Sequence, residues 1–248
     1  MLTPRETLIA LATKHNGDWQ HMFLDIQTRE LDNLESYTRD ERAITILDSD
    51  YPAILKEQCQ HAPLVLFYKG DITLLGNKNT VAILGTRTPS GEADMFTDAF
   101  IRNTLPSDRV IITGLSLGIG ATSTLAALES GHKVIAVLGS GVDYCYPLSN
   151  KDLYDRIIAE GGLVISEYPF DTLPQMENFP ARNRIIATLA HSVCSMELSA
   201  RSGHIITLNW ALSQGKEIYA RPNPSNPNDF NNRLIDEGAN CLTLSTTF

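Results

Sequence analysis

The chain has 248 residues, 43% of them hydrophobic, and a formal net charge of -9. That length and apolar content bury a substantial core and exclude a disordered chain. The acidic balance excludes wholesale attraction to nucleic acid, although Arg182, Arg184, Arg201, Lys216, Arg221 and Arg233 in the last third leave room for a local anion site. In chain order, residues 4–14 and 19–36 read as helices, with apolar Leu8, Ile9, Leu11 and Ala12, then Phe23, Leu24, Leu31 and Leu34; Asn16-Gly17 breaks them apart. They predict a small helical domain over 1–40, followed by a larger domain over 41–248. Residues 43–47 and 64–68 are short strands. From residue 79 strands and helices alternate: strand 81–84, helix 92–103, strand 110–113, helix 121–129, strand 134–138, helix 151–159, strand 163–166, helix 182–189, strand 193–196, helix 205–213, strand 217–220, helix 230–236 and strand 241–244. This rhythm predicts an α/β fold. Its mostly parallel sheet has seven or more strands over 79–245, helices on both faces, and the two early strands at one edge.

No run approaches the roughly 18 apolar residues of a membrane helix. The N-terminus lacks a signal-peptide core, so a cytoplasmic protein is expected, with no membrane partner. Cys59, Cys145, Cys194 and Cys241 are far apart and none sits in a CxxC. Neither a disulfide framework nor a metal site is expected, and the six histidines have no ligand spacing.

In a parallel sheet, ligands bind beyond the carboxyl ends of the strands. Four such ends carry unusual residues: Gly85-Thr86-Arg87, Gly114–Gly120, Gly139-Ser140-Gly141 and Ser199–Gly203. Each glycine alone is a sufficient βα turn. Together with Arg87 and Arg201 they point to an anion pocket, in which backbone N–H groups and guanidinium groups share a phosphate. The spacing of Gly114, Gly118 and Gly120 is wrong for a dinucleotide fingerprint, and there is no P-loop lysine. No cofactor is expected. Ser140 lies outside a nucleophile elbow and Ser202 has no evident base, so no catalytic residue is expected either.

Phe179-Pro180-Ala181-Arg182-Asn183-Arg184 places two arginines at a helix start, against the helix dipole. A bound phosphate would account for them. So would ion pairs with Glu167 or Glu197 that hold the core together.

These runs resemble the DNA-processing protein A family (DprA, also called Smf). The resemblance covers about residues 50–240. It runs through DYPAIL (50–55), LVLFYKGD (64–71), VAILGTR (81–87), ITGLSLGIGATSTLAALESG (112–131), VIAVLGSGVDYCYPLSNKDL (134–153), ISEYP (165–169), FPARNRIIATLAHSV (179–193), ARSGHIITLNWALSQGKEIYA (200–220) and LIDEGA (234–239). It implies an extended Rossmann-like domain behind the small helical one. It also implies a non-enzymatic homodimer that binds single-stranded DNA entering by natural transformation, protects it, and loads the RecA recombinase. Arg87 matches the arginine of the family's GSR turn, Gly114 and Gly118 its SGLARGID run, and Asn150 the asparagine after its YP. Arg182, Asn183 and Arg184 match its FPxRNR, and Ser202 and Gly203 its RSG. The expected phosphate site is thus Gly85, Thr86, Arg87, Gly114, Gly118, Gly139, Ser140, Asn150, Arg182, Asn183, Arg184, Arg201, Ser202 and Gly203, with Tyr146, Tyr168 or Phe179 as stacking rings.

The chain departs from the family's pattern at Leu117 (an arginine position), Gly120 (aspartate), Thr124 (histidine) and Asn223 (glycine). By the same resemblance, the C-terminal winged-helix domain that many relatives carry is not expected within these residues. Two other readings stand beside DNA binding. One is a nucleotide- or phosphoribosyl-handling Rossmann-like enzyme using Glu167 and Glu197. The other is a divergent paralogue acting only as a protein-interaction module.

Overall fold

The computed structural model describes residues 2–31, 34 and 42–248. Helix α1 (Pro4–Lys14) begins at a reciprocal cap: Thr3 Oγ1 accepts from the Glu6 N–H, and the Glu6 carboxylate accepts from the Thr3 N–H at 2.6 Å. Helix α2 (Trp19–Thr28) is capped by Asp18. It stops short of the expected end at 36 because Arg29 turns left-handed, at φ 60°. Residues 32, 33 and 35–41, including the expected domain boundary, lie outside the described residues.

Strands β1 (Ala43–Thr45) and β2 (Val65–Gly70) flank a short helix α3 (Ala53–Gln58) that the sequence pattern did not show. Then follow β3 (Thr80–Gly85), α4 (Gly91–Asn103), β4 (Val110–Thr113), α5 (Ile119–Glu129), β5 (Val134–Leu138), α6 (Lys151–Ala159) and β6 (Leu163–Ser166). The chain continues through α7 (Asn178–Leu189), β7 (Ser192–Glu197), α8 (Ile205–Ser213), β8 (Glu217–Ala220), α9 (Phe230–Asp236) and β9 (Asn240–Cys241). The last strand is shorter than the expected 241–244.

The strands form one sheet in the order β1-β2-β6-β5-β4-β3-β7-β8-β9. Strands β3 to β9 pair in parallel, while β1 and β2 add antiparallel at the β6 edge. Central strands β3, β4, β5 and β6 are buried along their whole length, as a parallel sheet covered on both faces requires. One face packs Phe100 and Ile101 of α4, Ile119 and Ala126 of α5 and Ile157 of α6. The other packs Leu55 of α3, Ile185, Ile186 and Leu189 of α7 and Leu208 of α8.

The N-terminal helices share this core, since Leu8, Ile9, Leu11 and Met22 pack in the same cluster as Val65 and Phe67. Polar contacts add to that packing. Arg5 Nη2 donates to the Ala43 carbonyl at 2.7 Å, and the Trp19 indole donates to the Ala62 carbonyl at 3.1 Å.

At the far side of the sheet the carboxyl ends of β7 and β8 diverge over a single buried amide. Asn231 Nδ2 donates to the carbonyls of Ser195, Met196 and Arg221, at 3.1, 3.1 and 3.2 Å, and Asn231 Oδ1 accepts from Ser195 Oγ at 2.7 Å.

Candidate functional site

Strand β3 has β4 on one side and β7 on the other. The chain winds outward in both directions from it, so the crevice over its carboxyl end is the switch point where open α/β sheets bind ligands. Here the crevice is a continuous groove of two adjoining cavities that share Arg87, Ser116, Phe179 and Arg182. The larger, about 370 Å³, also takes in Gly85, Thr86, Asn183, Ser202, Gly203 and His204. The smaller lies against Gly114, Leu117 and Tyr146. Among the described residues, no Asp or Glu lines either cavity.

Backbone constraints shape the groove. Gly118 caps α5 at φ +63°, and a Cβ there would lie 2.5 Å from the Thr86 carbonyl oxygen. Only glycine suits both that conformation and the close approach to the β3 turn. Gly114 is bare because Arg182 lies across it: a Cβ would meet Nη2 at 2.3 Å. Asn150 is buried and its Nδ2 donates to the carbonyls of Leu115 and Ser116, at 3.0 and 3.1 Å. It holds the β4–α5 loop from below. Phe179 packs over Gly139 and sits 5.4 Å from Tyr146, ring centre to ring centre.

Arg182 is the electrostatic centre. It is only 5% exposed, and Nη1 donates to the carbonyls of Gly114 at 2.8 Å and Val137 at 2.5 Å. No carboxylate lies within ion-pair reach of it among the described residues. Burial, and then the neighbouring Arg87, pull its pKa down to about 10, which still leaves a cation at neutral pH. Arg87, exposed at the groove's rim, likewise has no ion-pair partner among the described residues. A buried cation without a counter-ion is costly. An anion held between Arg182 and Arg87 would remove that cost.

The remaining expected residues divide. Asn183, Ser202 and Gly203 line the groove, and Asn183 Nδ2 donates to the Gly203 carbonyl at 3.2 Å. Arg201 is exposed on the same loop but does not line the groove. Ser140 is buried and donates to the Tyr144 carbonyl at 3.0 Å, which makes it a turn residue beneath the site.

Arg184 points away from the groove. Its Nη2 meets the Glu167 carboxylate at 2.5 Å and the His61 carbonyl at 2.9 Å, in a separate cleft beside Trp19 and Tyr168. Burial opposes its charge, but Glu167 outweighs burial and raises its pKa. Glu197 accepts from Ser90 Oγ at 2.5 Å at the start of α4. Of the three rings proposed for stacking, Tyr146 and Phe179 face the groove, whereas Tyr168 is buried in the other cleft. Sequence reasoning missed Ser116, Met176 and His204 as lining residues. His204 follows the RSG run directly and was within reach of the motif; Met176 lies in a loop with no pattern.

A family model described as DNA recombination-mediator protein A matches residues 42–247. The DNA processing protein DprA of Streptococcus pneumoniae (strain ATCC BAA-255 / R6) is 40% identical over 203 residues, which are 81% of this chain and 71% of that protein. Protein Smf of Synechocystis sp. is 35% identical over 85% of this chain and 51% of its own length. DprA of Bacillus subtilis is 36% identical over 72% and 60%. The chain therefore spans only about half to seven-tenths of these relatives. Among solved structures, S. pneumoniae DprA aligns at TM-score 0.75 and 35% identity over 91% of this chain and 78% of that one. DprA from Helicobacter pylori, whose structure concerns its single-stranded DNA binding mode, aligns at TM-score 0.72 and 27% identity over 82% of this chain and 92% of that one.

Proposed function

Since this chain belongs to the DNA recombination-mediator protein A family, we propose that it binds single-stranded DNA in the groove over β3, with Arg87 and Arg182 holding the phosphates. The observation that carries this reading is Arg182, a buried guanidinium with no carboxylate partner, open to a cavity free of acidic side chains. Arg87 at the rim supplies the second charge. Asn183, Ser202 and Gly203 supply neutral polar groups, and Gly85, Thr86, Gly114 and Gly118 bring the backbone close. Tyr146 and Phe179 offer faces on which unpaired bases stack without regard to sequence. Phosphate contacts carry no base code, so sequence preference is weak. Arg184 and Ser140 serve the site by holding the frame.

The alternative enzyme reading needs Glu167 and Glu197 to converge on the phosphate pocket. Both carboxylates are engaged elsewhere, with Arg184 and Ser90. Family membership supports the wider role: a cytoplasmic homodimer that protects incoming DNA and loads RecA on it during natural transformation. Among the described residues no helix is long and apolar enough to cross a membrane.

Fluorescence anisotropy with a labelled oligo-dT of about 30 nucleotides, at several salt concentrations, tests the groove. Wild type binds, and affinity falls as salt rises. Arg87→Ala weakens binding several-fold, reduces the salt slope by about 0.7, the value for one phosphate contact on a single strand, and leaves the melting temperature unchanged. Equal binding by Arg87→Ala and wild type would refute the assignment. For the wider role, light scattering should give twice the chain mass. RecA added to strands coated with single-strand binding protein should start ATP hydrolysis with a shorter lag when this protein is present.

A further inference from the structure

His204 lines the larger cavity, at the first position before α8. Its backbone N–H donates to Ser202 Oγ at 3.2 Å, while its Nδ1 is buried without a hydrogen-bond partner among the described residues. An unpaired buried ring nitrogen costs free energy and calls for a reason. The charged groups around it are of one sign. Arg182 comes from α7 and Arg87 from the turn after β3, and the start of α8 adds the positive end of its dipole. Arg201 of the same loop is exposed and does not line the cavity. Glu197 at the end of β7 is held by Ser90. No carboxylate lining the groove offsets the two guanidinium groups.

We propose that His204 is a third anion-contacting group of the groove, one that becomes charged only when a DNA phosphate is bound, so that binding takes up a proton. This rests on the reading that the groove holds single-stranded DNA. In the free protein, burial first, and then Arg182 and Arg87, push the imidazole pKa down to about 4, so the ring is neutral at physiological pH. A phosphate seated between the two guanidinium groups reverses the sign of the field at the ring and gives an imidazolium a charged acceptor. The folded, bound state then has the higher pKa. The extra affinity is absent well above that bound value and appears as pH falls through it. Affinity then rises roughly fourfold between pH 7.5 and pH 5.5 through this residue alone.

The test is oligo-dT binding to wild type and His204→Ser between pH 5.5 and 8.0, at fixed ionic strength. DNA phosphates do not titrate in that range. The general loss of negative charge on acidification acts equally on both proteins, so the difference between them isolates His204. Wild type gains about fourfold more than the variant on acidification. Calorimetry at pH 6 in two buffers of different ionisation enthalpy shows net proton uptake that the variant lacks. Matching melting temperatures at pH 8.0 confirm that the variant is folded. Identical pH dependence and proton uptake in the two proteins would overturn the role of His204 while leaving the groove assignment intact. Absence of wild-type binding at low salt and pH 7.5 would overturn both.

Discussion

Arg182 and Arg184 lie two positions apart on one helix, and both are buried. Arg184 spends its charge on Glu167 and on backbone carbonyls, so its region is complete as it stands. Arg182 has carbonyl partners but no counter-ion, beside a second unpaired arginine. One face of α7 is thus closed by an internal ion pair and the other waits for a charge from outside. The contrast teaches that burial of a cation does not identify its role; the location of its counter-charge does.

Removing the structural arginine should have the largest effect. Arg184→Ala leaves Glu167 buried and unpaired, and urea unfolding should show a loss of about 3–5 kcal/mol. DNA binding by the fraction that remains folded should be close to wild type. Replacing both partners together, as Arg184→Met with Glu167→Leu, should recover most of the stability, because a well-packed apolar pair avoids the desolvation cost.

The opposite outcome is expected for the other arginine. Arg182→Met removes an uncompensated buried charge but also the donor to the Gly114 and Val137 carbonyls, so stability should fall far less than in Arg184→Ala. It should weaken oligo-dT binding by tenfold or more, about 1.4 kcal/mol. Loss of stability without loss of binding would invert the two roles.

Geometry explains why these roles could be read only in part from the sequence. The FPARNR run marked both arginines together. Yet side chains at i and i+2 of a helix point about 200° apart, so they could not both face one groove. The sequence alone carries that rule. Which of the two faced the ligand was not, because it depends on the distant Glu167, at the end of another strand.

The alternation after residue 79 was legible because strands β3 to β7 are short apolar runs that end at a glycine or an acidic residue. The end of α2 was less so. Leu31 and Leu34 continue the helical spacing, and nothing in residue type announces the left-handed turn at Arg29. Helix α3 is only six residues long, too short for a periodic signal. His204 adjoins the RSG run, but only the cavity shows that its ring lies beside Arg87 and Arg182.

A finer adjustment concerns Leu117, which lines the smaller cavity and is 41% exposed, at the position where the sequence resemblance led to an arginine being expected. Leu117→Arg should tighten oligo-dT binding a few-fold at low salt and steepen the salt slope by about 0.7. Its melting temperature should not change. An unaltered salt slope would mean that the strand does not pass over the smaller cavity.

The amide of Asn231 has a consequence for how the molecule tolerates change. It ties the last residues of β7 to the first residue beyond β8, and it sits just past the loop of residues 221–229. The backbone ladder sets the register of the two strands, and this side chain adds a clasp where the ladder ends. Losing it would leave three backbone carbonyls and the Ser195 hydroxyl short of a partner where the strands end, a defect that no neighbouring strand could mend.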